Sequence, residues 1–219
     1  AVISLGGDGT FLFAERSFPS IPKLLIRDSN ICKKCNVTLL TDVLHQLQNN
    51  EYTIEEHMKL SARVLRKNKV IAALECANDF VLRNHHLPEA VRFSLHVDGE
   101  LVEGELIGDG VVISTPFGST AYFNSITRRV FKKGIGIAFN NTTIQRPPLV
   151  EKEQSVIQIK LLRKDADFAS DNDPKIVHVR EGDSIEIRRN QKPARIIRIK
   201  KRSRGFFHML RYWKRRHSM

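Results

Sequence analysis

The sequence predicts an α+β protein in two parts: a partial, N-terminally truncated α/β portion, followed by an all-β, sandwich-like domain. Three observations carry this. The apolar run Val2-Ile3-Ser4-Leu5 stops at a glycine pair and gives way to Phe11-Leu12-Phe13-Ala14, which has helical character. Val91, Phe93, Leu95 and Val97 alternate strictly up to Asp98-Gly99, the strongest short hairpin signal in the chain. Past residue 57, short apolar segments are separated by turn residues and interrupted by a single helical stretch.

The elements follow in order. Residues 1–28 read strand, helix, strand, with Thr10 as the expected N-cap of the helix and Lys23-Leu24-Leu25-Ile26 as the second strand. Leu39, Leu40, Val43, Leu44 and Leu47 fall at helical spacing within 37–49, and Tyr52 to Ile54 makes a short strand. Strands are then expected over 59–65, 69–75, 79–82, 91–97, 100–107 and 111–115, a helix over 119–131, and strands over 135–139, 155–162, 176–179, 184–187 and 194–199. A terminal helix is expected over 206–212. The domain division implied is 1–56 and 57–202, with 203–219 packing back onto the first part. The chain opens on Ala inside a strand, which leads us to expect further strand–helix units upstream.

At 219 residues the chain can bury a core. Its apolar content of 41% and charged content of 27% are those of ordinary globular proteins, and no apolar run reaches membrane-spanning length. Cys32, Cys35 and Cys76 are too few and too odd in number for a secreted disulfide framework, which points to a reducing cytoplasm. The net charge of +12 favours polyanionic partners such as nucleotides, nucleic acid or acidic lipid.

Three stretches carry chemistry. The first is Gly6-Gly7-Asp8-Gly9-Thr10, set between a strand and a helix start. Glycines let backbone N–H groups approach anionic oxygens, and the helix dipole favours negative charge there. A carboxylate among phosphate-binding amides either holds a cation or takes a proton. The loop lacks the Gly-Lys-Ser/Thr ending of a P-loop and the third glycine of a dinucleotide fingerprint. A plain Gly-Asp-Gly turn is the simpler alternative, and the flanking strand and helix signals weigh against it. The second stretch is Asn78-Asp79, whose donor, acceptor and charge suit the paired hydroxyls of a ribose, although such pairs also make ordinary turns. The third runs from Gly108-Asp109-Gly110 through Ser114-Thr115-Pro116-Phe117-Gly118-Ser119-Thr120-Ala121-Tyr122, a strand leading through a polar loop into a helix start.

Taken in that order, the three stretches resemble the NAD kinase family; lipid kinases of the diacylglycerol and sphingosine type share only the first. The resemblance is strong over residues 1–125 and weaker beyond. It implies a nucleotide-binding α/β domain followed by a β-sandwich-like domain, with the active site between them and between subunits of a homo-oligomer. It also implies the chemistry: transfer of the γ-phosphoryl group of ATP, or a phosphoryl group from polyphosphate, to the 2′-hydroxyl of the adenosine ribose of NAD. Asp8 would act on that hydroxyl. Gly6, Gly7, Gly9 and Thr10 would face the ATP phosphates, with Mg²⁺ or another divalent cation as charge partner and no metal held by the protein alone. Asn78 and Asp79 would bind NAD, and Thr120, Ala121, Tyr122 and Ser125 would line its adenine and ribose pockets. Asp109 would lie near the nicotinamide end, supplied across the subunit interface. The alternatives are a lipid kinase, which should lack Asn78-Asp79 and the Gly118–Tyr122 loop, and a non-catalytic nucleotide- or nucleic-acid-binding relative.

The sequence departs from the family pattern in three places. The stretch Leu25 to Cys32 lacks the glycines the family carries after its second strand, Phe117 stands where a Thr is usual, and Ser125-Ile126-Thr127-Arg128-Arg129 replaces a Ser-x-Gly-Gly-Pro continuation. All three border the substrate pocket and bear on affinity and on the choice between NAD and NADH. Cys32-Lys-Lys-Cys35 has zinc-knuckle spacing without a second ligand pair. His85-His86 reads as surface. From Arg188 to Arg216 there are thirteen Lys and Arg interleaved with Phe206, Phe207, Tyr212 and Trp213. Packing onto the first domain is the favoured reading of this tail over nucleic-acid or membrane contact.

Overall fold

The computed structural model describes residues 1–27, 40–171 and 173–199. Strand β1 (Val2–Gly6) runs into helix α1 (Asp8–Ser17) and returns as β2 (Lys23–Arg27), parallel to β1 with Ile3 opposite Leu24. Helix α2 (Leu40–Gln48) leads into β3 (Tyr52–His57), longer than the three residues the sequence suggests. Helix α1 starts three residues earlier than expected. Gly7 is its N-cap, so Thr10 lies inside the first turn and caps nothing.

The chain then builds the sandwich. Its strands are β4 (Leu60–Arg66), β5 (Lys69–Cys76), β6 (Asp79–Asn84), β7 (Val91–Val97), β8 (Glu100–Gly108) and β9 (Gly110–Ser114). A 3₁₀ turn (Gly118–Thr120) and helix α3 (Tyr122–Thr127) follow, then β10 (Ile135–Asn140), β11 (Leu149–Glu151), β12 (Ile157–Arg163), β13 (Ala166–Ser170), β14 (Val177–Val179) and β15 (Ser184–Arg189). One six-stranded sheet has the order β5-β4-β15-β12-β7-β8 and the other β11-β10-β9-β6-β13-β14. At the β7–β8 hairpin Asp98 and Gly99 both take positive φ, +53° and +89°, which matches the right-handed twist of the strands. The Asp98 carboxylate accepts hydrogen bonds from the Val156 N–H and the Ser155 hydroxyl, in that order the main reasons its carboxyl sits below the usual range.

The inward faces of the two sheets form one core. Leu60, Val64, Phe93, Leu95, Ile159 and Ile185 from the first meet Phe80, Leu82, Val111, Ile113, Ile137 and Phe168 from the second. Burying each such side chain contributes about 1.5–3 kcal/mol relative to leaving it in water. The outer face of the second sheet is covered by α3, where Phe123 packs on Val112 and Ala138.

That helix is shorter than the sequence reading of 119–131. The Thr127 hydroxyl bonds back to the Phe123 carbonyl (2.9 Å), and Arg128 adopts left-handed φ +57°, which ends the helix. Strands β11 and β13 were not expected. The first is three residues long behind Pro147-Pro148; the second, Ala-Asp-Phe-Ala-Ser, has weak β-propensity and is held by its neighbours β6 and β14.

The last described strand, β16 (Ala194–Ile199), joins β1, β2 and β3 in a separate four-stranded sheet of order β1-β2-β16-β3, parallel to β2 and antiparallel to β3. This corrects the sequence reading, which groups it with the β-rich part. Its composition gives the reason: Ala194 and Ile196 pack on the α1 side with Phe11 and Leu25, and Ile197 and Ile199 on the other with Leu24, Ile26 and Val43 of α2. A strand apolar on both faces needs cover on both. Cys32, Cys35, the first residues of the 37–49 helix and the whole 203–219 tail lie outside the described residues. No helix among the described residues is long and apolar enough to cross a membrane.

A buried ionic chain ties the two parts together. Lys23, fully buried on β2, bonds to Glu15 of α1 and to the Phe18 carbonyl (2.6 Å). The other Glu15 oxygen pairs with Lys59 (3.1 Å), which reaches Glu75 on β5 (2.9 Å). Burial pushes the Lys23 ammonium down despite its bond to Glu15. For Lys59 burial acts the same way, but the hydrogen bond to Glu75 and the charge of Glu15 outweigh it and raise the group above the usual lysine value. A buried charge persists only where its partners are in place, so α1 is held in one position against the sandwich.

Candidate active site

The glycine turn follows from local backbone needs. Gly6 has φ +149°, and a Cβ there would come within 2.3 Å of the Thr10 hydroxyl oxygen. The following Gly7 is extended and offers no side chain to cap α1. The ten-residue helix therefore starts with Asp8 at its first position, flanked in sequence by Gly7 and Gly9.

The Ala77–Asp79 turn sits between β5 and β6, and what fixes it is a residue the sequence reading missed. Asp171, just past β13, accepts the backbone N–H of Ala77 on one oxygen (2.7 Å) and those of Asn78 and Asp79 on the other (2.8 and 3.0 Å). Its own N–H donates to the Asp79 carbonyl at 2.9 Å. Both Asn78 and Asp79 are buried. The only sequence signal for Asp171 is the Ser-Asp-Asn-Asp-Pro composition of its loop, which reads as any turn does.

The 114–118 loop closes on the same turn. The Thr115 N–H donates to the Asn78 carbonyl (2.8 Å), and the Thr115 hydroxyl donates to the Ala77 carbonyl (2.6 Å) while accepting the Gly118 N–H (2.9 Å). Gly118 lies so close to Asn78 that a Cβ would fall 2.2 Å from the Asn78 carbonyl oxygen. The second and third motifs thus form one backbone unit. The first joins it through apolar packing: Phe11 of α1, Ala77 and Phe117 share a cluster. The Phe117 ring meets Phe11 edge-on (centroids 5.3 Å) and lies 4.6 Å from His57. The Phe at this position fills the seam between the two parts of the chain.

Two groupings emerge among the expected site residues. Asp8, with its glycines and Thr10, stands one helical turn from the Phe11 contact with Ala77, so it shares a region with Asn78 and Asp79. Asp109 does not. Strands β6 and β9 pair with Asp79 opposite Ser114 at one end and Arg83 opposite Gly110 at the other, so Asp109 lies beyond the far end of β9, whose Gly110 is about 13 Å along the strand from Ser114. There its carboxylate accepts a hydrogen bond from the Asn141 amide (3.2 Å), and its N–H donates to the Asn140 carbonyl (3.1 Å). The Asn140 side chain is 3.4 Å from the Tyr122 hydroxyl, which brings the start of α3 toward this second grouping. Thr120 is exposed, Ala121 closes the 3₁₀ turn through its N–H to the Gly118 carbonyl (2.8 Å), and the Ser125 hydroxyl bonds back to the Ala121 carbonyl (3.2 Å).

Behind the Asp171 anchor, a cleft of about 350 Å³ separates α1 from β5; Leu12, Glu15, Lys59, Glu75, Ala77 and Asp171 are among its walls. Carboxylates and ammonium groups alternate around it. The arrangement as a whole sets a helix N-terminus and a carboxylate beside a buried Asn-Asp turn, which is what holding a phosphate chain next to a sugar hydroxyl requires.

Comparison with known proteins points the same way. A family profile described as the ATP-NAD kinase C-terminal domain matches residues 77–199. A protein named NAD kinase from Carboxydothermus hydrogenoformans is 30% identical over 220 residues, covering 96% of this chain and 77% of its own. One of the same name from Ruminiclostridium cellulolyticum is 29% identical over 227 residues, covering 96% and 76%. In fold, the chain matches the crystal structure of yeast NADH kinase complexed with NADH with a TM-score of 0.81 at 20% identity, over 99% of this chain and 67% of the other. It matches an Archaeoglobus fulgidus NAD kinase in complex with ATP with a TM-score of 0.74 at 20% identity, over 95% and 82%. With the glycine turn, the Asn78-Asp79 turn and the 114–118 loop meeting in one region and the profile running from that turn through β16, the chain belongs to the NAD kinase family.

Proposed function

We propose that this protein is an NAD kinase, which transfers the γ-phosphoryl group of ATP to the 2′-hydroxyl of the adenosine ribose of NAD and releases ADP and NADP. The observation that carries the reading is the meeting of α1, headed by Asp8, with the Ala77–Asp79 turn and the 115–118 loop.

A ribose hydroxyl is a weak nucleophile, and phosphoryl transfer depends mainly on positioning and on cancelling charge at the transferring group. Asp8 takes the 2′-hydroxyl proton as the oxygen bonds to phosphorus and the bond to the ADP oxygen breaks. The backbone N–H groups of Gly7 and Gly9 hold phosphate oxygens beside Thr10, whose own N–H donates to the Gly7 carbonyl (3.1 Å), while Asn78 and Asp79 fix the NAD that presents the hydroxyl. A divalent cation arriving with the nucleotide neutralises charge on the phosphate chain. Among the described residues, Asp8 is the carboxylate within the glycine turn itself, and the Asp171 oxygens accept backbone N–H groups. One carboxylate suits Mg²⁺, which keeps most of its ligands from water and phosphate.

Asp109, with Tyr122 and Asn140 near it, serves the nicotinamide end of a neighbouring subunit's site. Its position beyond the far end of β9 supports this, and it makes a homo-oligomer part of the function. The test is to assay Asp8→Asn and Asp109→Ala chains separately and as co-refolded mixtures. Each alone is expected to be inactive, and the mixture to recover part of the activity, because some sites then combine an intact Asp8 with an intact Asp109. A mixture as inactive as its components rules out the contribution across subunits.

A further inference from the structure

We propose that His85, Asp167 and His178 form a binding site for a divalent transition-metal ion of the Zn²⁺ class, at the opposite end of β6 from the Asn78-Asp79 turn. The strands assemble it. Asp167 on β13 is directly opposite His178 on β14, and their neighbours Ala166, Phe168, Val177 and Val179 point into the core, which leaves Asp167 and His178 on the outer face. His85 follows the end of β6, and its backbone N–H donates to the Asp165 carbonyl at 3.1 Å, which folds it over the same face.

The spacing of the donor atoms fits a metal. His85 Nδ1 is 3.0 Å from the Asp167 carboxylate, His178 Nδ1 is 3.4 Å from it, and one atom from each of the three residues lies within 4.8 Å of the others. Ligands around a tetrahedral ion with bonds of about 2.0–2.1 Å sit roughly 3.3 Å apart. Small adjustments would bring all three onto one ion and leave its fourth position to water.

The hydrogen-bond inventory of His178 supports the same conclusion independently. Its Nε2 is 3.0 Å from Asp165 while its Nδ1 faces Asp167, so both ring nitrogens address carboxylates. A neutral imidazole carries one N–H. If that N–H is donated to Asp165, the Nδ1 lone pair points at the place where the Asp167 carboxylate and His85 Nδ1 also point, and a cation resolves the convergence. A carboxylate behind the distal nitrogen of a ligating histidine is the usual means of fixing its tautomer and raising its basicity. Two cations stand near the site: Arg83, directly opposite Asp167 on β6, is exposed to solvent, and Arg66 bonds to the His178 carbonyl (3.2 Å) with its charge matched by Asp183 at 2.8 Å. Two imidazoles and one carboxylate favour Zn²⁺ and its neighbours over Mg²⁺ or Ca²⁺, which prefer shells of oxygen. An ion here would pin the segment after β6 to the edge strand β14.

The experiment uses the untagged full chain carrying Cys32→Ser and Cys35→Ser, freed of metal by chelator, and titrates it with Zn²⁺ by calorimetry and with Co²⁺ by visible absorption. Expected are one ion per chain, an intense Co²⁺ band of tetrahedral type, and a melting temperature that rises with Zn²⁺ and falls back with EDTA. Affinity should drop about 100-fold or more in His178→Ala and His85→Ala, and about 10- to 100-fold in Asp165→Asn, whose effect passes through His178. Millimolar Mg²⁺ should reproduce none of this. Failure of the parent chain to take up one equivalent, or unchanged affinity in both histidine variants, overturns the proposal.

Discussion

Replacing Asp171 removes the carboxylate that three successive backbone N–H groups of the Ala77–Asp79 turn share. Hydrogen bonds to a charged acceptor contribute about 1.5–3 kcal/mol each, so three would set an upper limit of roughly 9 kcal/mol. The turn borders an open cleft, and water can re-satisfy part of what is lost. About 3–4 kcal/mol is therefore the expected cost of Asp171→Ala. In Asp171→Asn the amide oxygen can keep the bonds to Asn78 and Asp79 while its NH₂ faces the Ala77 N–H, which loses one bond and sets two donors against each other, for about 2 kcal/mol. Urea unfolding midpoints measure both values. NAD titration measures the second consequence: with the turn no longer preorganised, affinity should fall about tenfold or more in either variant. An alanine variant within about 0.5 kcal/mol of the parent, binding NAD normally, would show that the turn is held by something other than this carboxylate.

Gly118→Ala should abolish NAD binding while leaving the sandwich folded, because its Cβ would fall 2.2 Å from the Asn78 carbonyl oxygen and one of the two backbones must move; circular dichroism beside calorimetric titration separates the two effects. The Asp183 carboxyl gives a pH signature. Burial alone would raise it, but the Arg66 guanidinium and the Arg180 N–H together hold it below its ordinary value of 3.8. Since the folded-state value is the lower one, its stabilising contribution is complete above the unfolded value and is lost as pH falls through the folded one. The stability gap between parent and Asp183→Asn should accordingly be constant near neutrality and shrink below about pH 4 in acid-unfolding curves.

The parts of the fold most legible in the sequence were those where local pattern and final environment agree. The β7–β8 hairpin is one case: strict alternation and Asp98-Gly99 specify both its faces and its turn. The order of the β1–α1–β2 unit is another, where an apolar strand, a glycine pair and a helix follow one another without a gap, although β1 lies at the sheet edge with Ile3 and Leu5 exposed. What stayed hidden depended on distant partners. Nothing in Ala194 to Ile199 says that it pairs with β2, some 170 positions earlier, rather than with the strands just before it. β13 is a strand because β6 and β14 flank it. Within the site, the glycine turn, Asn78-Asp79 and the 114–122 loop announced themselves by composition, whereas Asp171 acts only through backbone atoms of another loop. His85 is at the surface, as its sequence reads; what the sequence hides is that Asp167 and His178 become its neighbours when the sheet forms.

The central claim is that Asp8, at the head of α1, takes the proton from the NAD hydroxyl during phosphoryl transfer. The direct measurement is NADP formation from NAD, ATP and Mg²⁺ by the parent and Asp8→Asn proteins, with NAD affinity and unfolding midpoints measured on the same preparations. The account expects turnover in the variant to fall by about 10²–10⁴-fold, the range of a lost general base, with NAD still bound and the fold intact. Near-parental turnover in Asp8→Asn would contradict it.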